Sequence, residues 1–489
     1  MCPARPGLHS SLRHLIGGVL VLLLAAGMSG VVQAQGFGVY EQGTCAMARA
    51  GAGVADGCGD GSSIYFNPAN LAGTEGVTAS VGATAIDAYG KFAYDYTARP
   101  PYTGVEVDLE NDPIPVPHGY ATYGVNDALA LGLGLYVPYG LETNWPTRLA
   151  DGAAFDGAFE GFANRVQSVY VQPTAAYQVS SRLRVGGGPI LAISSVELNQ
   201  LQDLSQASVP GVDATFGQFG VPFHTAFAQS QLESSNQLGF GANLGATYQA
   251  TDRLSIGVRF TTPITVSFEG EATFTQVETG LTFPASSPLA QDLNQDGTPE
   301  PTPADALLAS QFDSGGPLST QDVETEITFP MQVVGGVSFA ATDRLRLLAD
   351  YQFTGWSSFD EIPLQFERLD DQTREENYNN THAVRLGAEY DVLDPLTARI
   401  GYLYNTAAAP DEVVTPLLPE SDRNQFTIGA GWRAAEVVEL NVSYQLLLQN
   451  DRRGRVRGAL PGEDLTTALN QGLYSFGANL FGATLTLYL

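Results

Sequence analysis

"ALALGLGLYV", Ala128 to Val137, places Leu129, Leu131, Leu133, Leu135 and Val137 on one side of an extended chain. Ala130, Gly132, Gly134 and Tyr136 fall on the other. A period of two with one apolar face predicts a strand whose two sides meet different media. "QLGFGANLGATYQ", Gln237 to Gln249, repeats it, with Leu238, Phe240, Ala242, Leu244, Ala246 and Tyr248 against Gly239, Gly241, Asn243, Gly245, Thr247 and Gln249. The second face is small or polar, which suits a solvated or plugged lumen. A secreted β-sandwich needs large side chains there.

A short device recurs between such strands. "SSRLRVGGG" (180–188), "TDRLSIGVRF" (251–260) and "TDRLRLLADY" (342–351) are near copies, and "VNDALALGLGL" (125–135) and "LDPLTARIGYLY" (393–404) are looser ones. A polar residue makes a tight turn and a strand starts at once. At the other strand ends the connections are long and polar: 88–117, 139–165, 199–235, 269–324, 358–381, 406–422 and 450–471. Strands are predicted at 76–87, 117–126, 127–138, 166–180, 182–197, 236–250, 252–268, 325–340, 343–357, 382–391, 396–405, 423–433, 436–449 and 473–489. These fourteen form an even set with all tight turns at one end, as in bacterial outer-membrane barrels. The last, "LFGATLTLYL", keeps Phe481, Leu485, Leu487 and Leu489 on one face, and can close the sheet on the first strand and remove both edges. The predicted fold is therefore all-β: a 14-stranded antiparallel transmembrane β-barrel over 75–489, with long extracellular loops.

The chain start has other properties. Arg5, Arg13 and His14 precede the apolar run Leu15 to Ala26, and Val32 and Ala34 suit a cleavage site. Residues 1–34 read as a secretory signal peptide. With 23 basic against 52 acidic residues, net −29, the chain is unsuited to binding nucleic acid. Lys91 is the sole lysine. Cys2 leaves with the signal; Cys45 and Cys58, in an exported chain, are expected to form a disulfide.

An irregular segment, 35–74, remains ahead of the first strand. Its residues 36–73, "GFGVYEQGTCAMARAGAGVADGCGDGSSIYFNPANLAG", resemble the N-terminal hatch of the FadL-type outer-membrane long-chain fatty-acid transporters, a family that includes transporters of aromatic hydrocarbons. The matching pieces are Gly36-Phe37, Arg49-Ala50-Gly51, and Asn67-Pro68-Ala69 followed by Asn70-Leu71. "YVPYGLETNW" is similar to the family's Pro-aromatic-Gly element after the third strand, and "GLYSFGANLFGATLTLYL" to its last strand. Leu489 departs from the family's aromatic terminus, and the Cys45–Cys58 pair is not a family feature. The resemblance implies a hatch (plug) inside the lumen, with Arg49, Asn67, Pro68 and Ala69 as its gate residues. It also implies passive uptake of hydrophobic molecules, capture by extracellular loops, release into outer-membrane lipid through an inward kink in the third strand, and a monomer.

Candidate residues carry two readings each. Pro138, with Tyr139 and Gly140, marks either that kink and lateral opening or simply a loop start. Phe216, Phe219, Phe223 and Phe227 lie in a connection that should be exposed, as a capture surface or as a small core within a folded loop. Alternation turns Arg259, Arg346, Arg385, Arg399 and Arg433 towards the lumen beside Asp350, Glu389 and Glu439. Of these, Arg259, Arg385 and Arg399 are candidates for a carboxylate headgroup, against the reading of an ion-pair ladder. "DLNQDGTPE" spaces Asp292, Asn294 and Asp296 as in the first half of a calcium loop, but Pro303 stands where the bidentate Glu belongs. Calcium there is the one cofactor weighed, against an acidic, solvated loop. GxSxG, HExxH and phosphate-loop motifs are absent, and His118, His224 and His382 sit in unrelated contexts, so no enzyme is expected. The expected function is an outer-membrane channel for long-chain fatty acids. The alternatives are an aromatic-hydrocarbon channel or a non-conducting surface barrel.

Overall fold

The computed structural model describes residues 37–94, 102–292, 294–455 and 472–489. The predicted signal peptide, with residues 35–36, lies outside the described residues. The barrel strands are β1 Val77–Tyr94, β2 Ile114–Gly124, β3 Leu129–Asn144, β4 Ala163–Gln178, β5 Leu183–Asp203 and β6 Ala226–Thr251. Then come β7, in two pieces (Leu254–Thr261 and Ile264–Gln276), and β8, also in two (Gln321–Phe329 and Gln332–Ala340). The remainder are β9 Leu345–Thr354, β10 Thr381–Leu393, β11 Leu396–Asn405, β12 Arg423–Ala435, β13 Val438–Gln449 and β14 Gly472–Tyr488. Each pairs antiparallel with the next, and β14 pairs with β1 from Thr78↔Tyr488 to Tyr94↔Gly472. The sheet is a closed 14-stranded barrel.

The repeated turn device has a common chemistry. Asn126 Oδ1 accepts from the amides of Ala128 and Leu129, Ser180 Oγ from Arg182 and Leu183, and Thr342 Oγ1 from Arg344 and Leu345. A short side-chain oxygen thus stands in for a backbone acceptor and reverses the chain. Outward, Leu131, Leu133, Leu135, Leu238 and Leu244 are exposed to the membrane, and Tyr123, Tyr177, Tyr248, Tyr390 and Trp432 form an aromatic girdle near the turns.

Several strands outrun the alternation. β5 and β6 continue to Asp203 and from Ala226, pairing through Glu197↔Glu233 and Asn199↔Gln231. Outside the membrane the outer face no longer meets lipid, so the ladder persists where the outward apolar row ends. β3 also runs on to Asn144, which leaves Pro138 inside the strand and not at its end.

Residues 37–73 hold two single-turn helices, α1 Thr44–Met47 and α2 Ser63–Phe66, and a 3-10 turn, Pro68–Leu71. Their backbone is met from all round the wall. Ser80 on β1 donates to Asp60 O (2.5 Å), Tyr120 on β2 to Gln42 O (2.5 Å), and Gln172 on β4 to Ile64 O (3.1 Å). Asn243 on β6 donates to Ile64 O (2.9 Å) and Thr427 on β12 to Ala48 O (3.1 Å), while Asp350 on β9 accepts from Gly53 and Val54 N–H (2.8 and 3.0 Å). A segment touched by the inner faces of strands on every side lies in the lumen. Irregular backbone at membrane depth persists only when protein satisfies its polar groups, and here wall side chains do so. The lumenal glycines make room for it: a Cβ on Gly132 would sit 2.8 Å from Ile64 Cδ1.

Candidate functional site

Above the N-terminal segment the barrel interior is apolar. A cavity of about 250 Å³ lies between β4–β5 (Val166, Val196, Leu198), β6–β8 (Phe227, Phe268, Ile327) and loop residues such as Phe359, Ile362 and Leu418. Its polar groups include Arg374, whose Nε lies 2.9 Å from Glu376 Oε1 and whose Nη2 lies 3.6 Å from Glu160 Oε2. Burial pushes the Glu376 carboxyl above the usual carboxylate range, with Arg374 opposing.

The cavity floor is aromatic. The Phe37 ring meets Trp356 (4.9 Å), Phe359 (5.6 Å), Tyr139 (6.1 Å) and Phe329 (6.1 Å) edge-on, the geometry that ring quadrupoles favour. A second cavity of about 130 Å³, lined by Ile86, Ala88, Leu447 and Leu480, also abuts Phe37. Phe37 therefore stands between two apolar spaces.

Beside Phe37 the wall is broken. The β2–β3 ladder runs from Gly124↔Ala130 only to Gly119↔Leu135. The β3–β4 register shifts between Tyr136 and Tyr139, and Tyr136, Val137, Pro138 and Tyr139 are buried in succession. Four buried residues in a row break alternation, so β3 bends into the lumen at Pro138. The N-terminal segment pairs with this bend. Val39 N–H donates to Pro138 O (2.8 Å) and Gly140 N–H to Phe37 O (3.1 Å), and Gln42 bonds both N–H and C=O of Val137.

The lumenal arginines lie below this level. Arg259 donates to Tyr65 O (2.9 Å) and to Gln332, and its guanidinium lies over the Tyr65 ring. Arg385 lies over Tyr40 at 4.6 Å. Arg399 pairs with Glu389 (2.6 Å), which also meets Arg346 (3.0 Å) and Arg49 (3.7 Å). Arg346 reaches Asp56 (2.8 Å), and Arg433 pairs with Glu439 (3.0 Å). Arg259, Arg385, Arg346 and Glu389 tie the segment to the wall, and Arg49, Arg346, Glu389, Arg399, Arg433 and Glu439 surround a polar cavity of about 340 Å³ at the tight-turn end. Cys45 and Cys58 are disulfide-bonded, and Arg49 Nη2 donates to Asp56 O (3.1 Å). Asn67 Nδ2 donates to Val54 O, Ala246 O and Thr247 Oγ1, and Asn67 Oδ1 accepts from Ala69 N–H across Pro68.

Three of the four predicted phenylalanines share one core, and Phe223 lies outside it. Phe227 belongs to that core and also lines the upper cavity. Phe216 is fully buried with Leu204, Phe283 and Leu308 in a core between two loops, and Phe219 packs on that core. Phe223 stacks on His224, whose Nδ1 lies 2.6 Å from Asp156 Oδ1 and joins two loops. In the 292–298 loop the Asp292 and Asp296 carboxylates accept their own loop's amides at Asp296, Gly297 and Thr298. The Asn294 amide donates to Asp296 (3.1 Å) and to Glu300 (2.6 Å). Arg374 and Phe37 were missed as site residues. Arg374 sits in the charged stretch "DDQTREENY", which carries no local signal.

A closed barrel with an occupied lumen, an apolar upper cavity and a kinked third strand defines an outer-membrane transport protein. The model of the family described as outer membrane protein transport protein (OMPP1/FadL/TodX) matches residues 25–486, and the chain belongs to that family of transporters of hydrophobic molecules. It is a transporter of the bacterial outer membrane, not an enzyme. It is 26% identical to the 47 kDa outer membrane protein of Pasteurella multocida, over 92% of this chain and 95% of the relative. It is 23% identical to the long-chain fatty acid transport protein of Salmonella typhi, over 84% and 87%. Among solved structures it is similar to a Pseudomonas aeruginosa FadL homologue, at TM-score 0.74 and 20% identity, covering 93% of this chain and 100% of that one.

Proposed function

We propose that the protein takes up long-chain fatty acids by diffusion, as a monomer. The observation that carries this reading is the apolar cavity of about 250 Å³ separated by Phe37 from a break in the wall. An acyl chain entering the cavity leaves water at about 0.8 kcal/mol per CH₂. Residues 37–73 act as the hatch. Withdrawal of Phe37 joins the upper cavity to the β2–β3 break, and the ligand passes Pro138, Tyr139 and Gly140 into the bilayer. The carboxylate competes with Glu376 for Arg374, the one guanidinium on the cavity wall among the described residues, and a raised Glu376 carboxyl yields that place by taking a proton. Arg259, Arg385 and Arg399 hold the hatch instead. The Salmonella relative's name supports a fatty-acid cargo. A second reading, an uncharged aromatic hydrocarbon, is favoured by the neutralisation of Arg374 by Glu376 and Glu160. Uptake of labelled oleate and labelled toluene by cells with and without the protein tests both. Oleate uptake that depends on the protein is expected. Toluene dependence alone would replace the first reading by the second, and dependence for neither would make this a non-conducting surface barrel.

A further inference from the structure

The wall has another break. β6 and β7 pair from Ala228↔Gln276 to Glu233↔Glu271 and again from Asn243↔Thr261 to Thr251↔Leu254. Past the bond from Thr262 N–H to Ala242 O (3.0 Å), 234–241 of β6 faces 263–270 of β7 with no ladder. The cause lies in β7 and β8, which are interrupted side by side at Pro263 and Pro330, between Thr261↔Gln332 below and Ile264↔Phe329 above. Proline gives the ladder no donor. The inward face also changes phase there. Gly257 and Arg259 are buried below Pro263, while Ile264, Val266 and Phe268 are buried above it. The upper β7–β8 hairpin thus leans inwards, and its β7 edge reaches β5 behind β6.

What fills the gap is side chain. Ile264 and Val266 are 1% and 0% exposed and press on two glycines of β6; a Cβ on Gly239 would lie 2.7 Å from Val266 Cγ2. Ala242 N–H donates to Thr262 Oγ1 (3.0 Å), and Ser234 Oγ and Gln237 Nε2 donate to Glu269 O (2.6 and 3.0 Å). Outside, Leu238 and Phe240 are 54% and 73% exposed, so the gap faces lipid. Inside, Ser234 and Phe268 line the upper cavity. Backbone without a ladder is costly at membrane depth unless protein covers it, and here two aliphatic side chains on a hinged hairpin are the cover.

We infer that the β6–β7 gap is a second lateral window, through which apolar molecules dissolved in the outer leaflet exchange directly with the upper cavity. The inference rests on reading that cavity as the ligand site. Opening needs no β6–β7 ladder bonds to break within the gap. The stretch 264–270, held to β6 by a ladder at each end, bows inwards from Pro263 and Pro330 with its pairing to β8 intact, and withdraws Ile264 and Val266 from Gly239 and Gly241. This window opens above Phe37, whereas the β2–β3 break lies beside it, so the two serve different cavities' sides of the aromatic floor.

The test uses the full protein in phosphatidylethanolamine–phosphatidylglycerol vesicles containing a hexadecane that carries a mid-chain diazirine. Brief illumination and mass spectrometry locate the cross-links. Labelling at Ile264, Val266 and Phe268 is expected. Oxidising a Gly239→Cys/Val266→Cys pair, or independently a Gly241→Cys/Ile264→Cys pair, should lower the initial rate at Phe268 several-fold, with the single cysteines unchanged. Heat-modifiable migration in gels checks that each variant is folded. Equal Phe268 labelling in locked and unlocked protein overturns the window and leaves the cavity as a ligand site. Labelling confined to Leu238 and Phe240, with no cavity residue reached in any variant, overturns both.

Discussion

Asn67→Asp isolates the hold of the wall on the hatch. The amide Nδ2 donates to Val54 O (2.6 Å), Ala246 O (3.2 Å) and Thr247 Oγ1 (3.1 Å), all buried or nearly so. The carboxyl keeps the bond from Ala69 N–H but sets an acceptor against two carbonyls. Each net bond is worth about 1 kcal/mol, and each carbonyl left unsatisfied adds about 1–3 kcal/mol. Thr247 retains its own donation to Asn70 Oδ1 (2.7 Å), so its loss is small. Val54 O keeps Asn70 Nδ2 as a donor (3.3 Å), so two lost bonds and one stranded carbonyl sum to about 3–5 kcal/mol, which raises the population of a released hatch by about a hundred- to several thousand-fold. Asn67→Ala escapes the acceptor–acceptor repulsion but also loses the bond from Ala69 N–H, about 1 kcal/mol more, so a loss of similar size is expected. Hydrogen exchange across 61–72 and conductance in planar bilayers read the release directly. Exchange and conductance equal to those of the unsubstituted protein would refute the claim that Asn67 fastens the hatch.

Arg374→Gln should weaken oleate binding by tenfold or more, at about 1.5–3 kcal/mol for a charge-assisted contact, and leave oleyl alcohol unchanged in fluorescence competition. Phe37→Ala joins the cavities of about 250 and 130 Å³ and should quicken passage of apolar probes into vesicles, at a stability cost of about 3–5 kcal/mol. Replacing Cys45 and Cys58 by serine removes a closed loop worth about 3 kcal/mol; exchange protection over residues 44–60 should fall while heat-modifiable migration of the barrel stays. Burial pushes the Asp422 carboxyl up to about 6, with Glu420 adding repulsion, while Asp422 accepts Ala407 N–H. A folded pKa above the unfolded value means the folded loop binds the proton more tightly, so this contribution is full below the usual Asp range and is lost as pH rises through about 6. Exchange protection of 406–422, corrected for intrinsic rate, should therefore rise from pH 7 to pH 5, and Asp422→Asn should remove the dependence.

The barrel was legible because alternation and turn chemistry are local. Leu129 to Leu135 declare an outer face by themselves, and Asn126 or Thr342 reverses the chain with its own side chain. The interior was less legible because it depends on juxtaposition. Gly132 reads as a small lumenal residue, but only the fold puts Ile64 against it. Arg259 and Arg385 were recognisable as lumenal and as candidates for a carboxylate, yet Tyr65 and Tyr40 cover them. Phe216 reads as exposed because its connection is long; the second loop that buries it, with Phe283 and Leu308, comes from far along the chain. Strand ends beyond the membrane were also hidden. The ladder through Glu197↔Glu233 and Asn199↔Gln231 has polar residues where a lipid-facing strand has its apolar row.

On the proposed route, blocking the lumen and sealing the wall become a single act. A sixteen-carbon tail loses about 12 kcal/mol of apolar transfer free energy if released into water, at about 0.8 per CH₂. Sideways discharge avoids that loss, but it requires a wall with a broken ladder, and broken ladders at membrane depth leave N–H and C=O groups without acceptors or donors. The bend of β3 creates such groups at Val137, Pro138 and Gly140. Residues 37–42 satisfy all three, through Val39 N–H, Phe37 O and the Gln42 side chain, and the same residues carry Phe37 into the aromatic floor. Moving this strip therefore opens the floor and uncaps the wall together. On the proposed route, a ligand that displaces Phe37 would create its own exit at that moment, and its apolar surface would cover the uncapped bend while it passes.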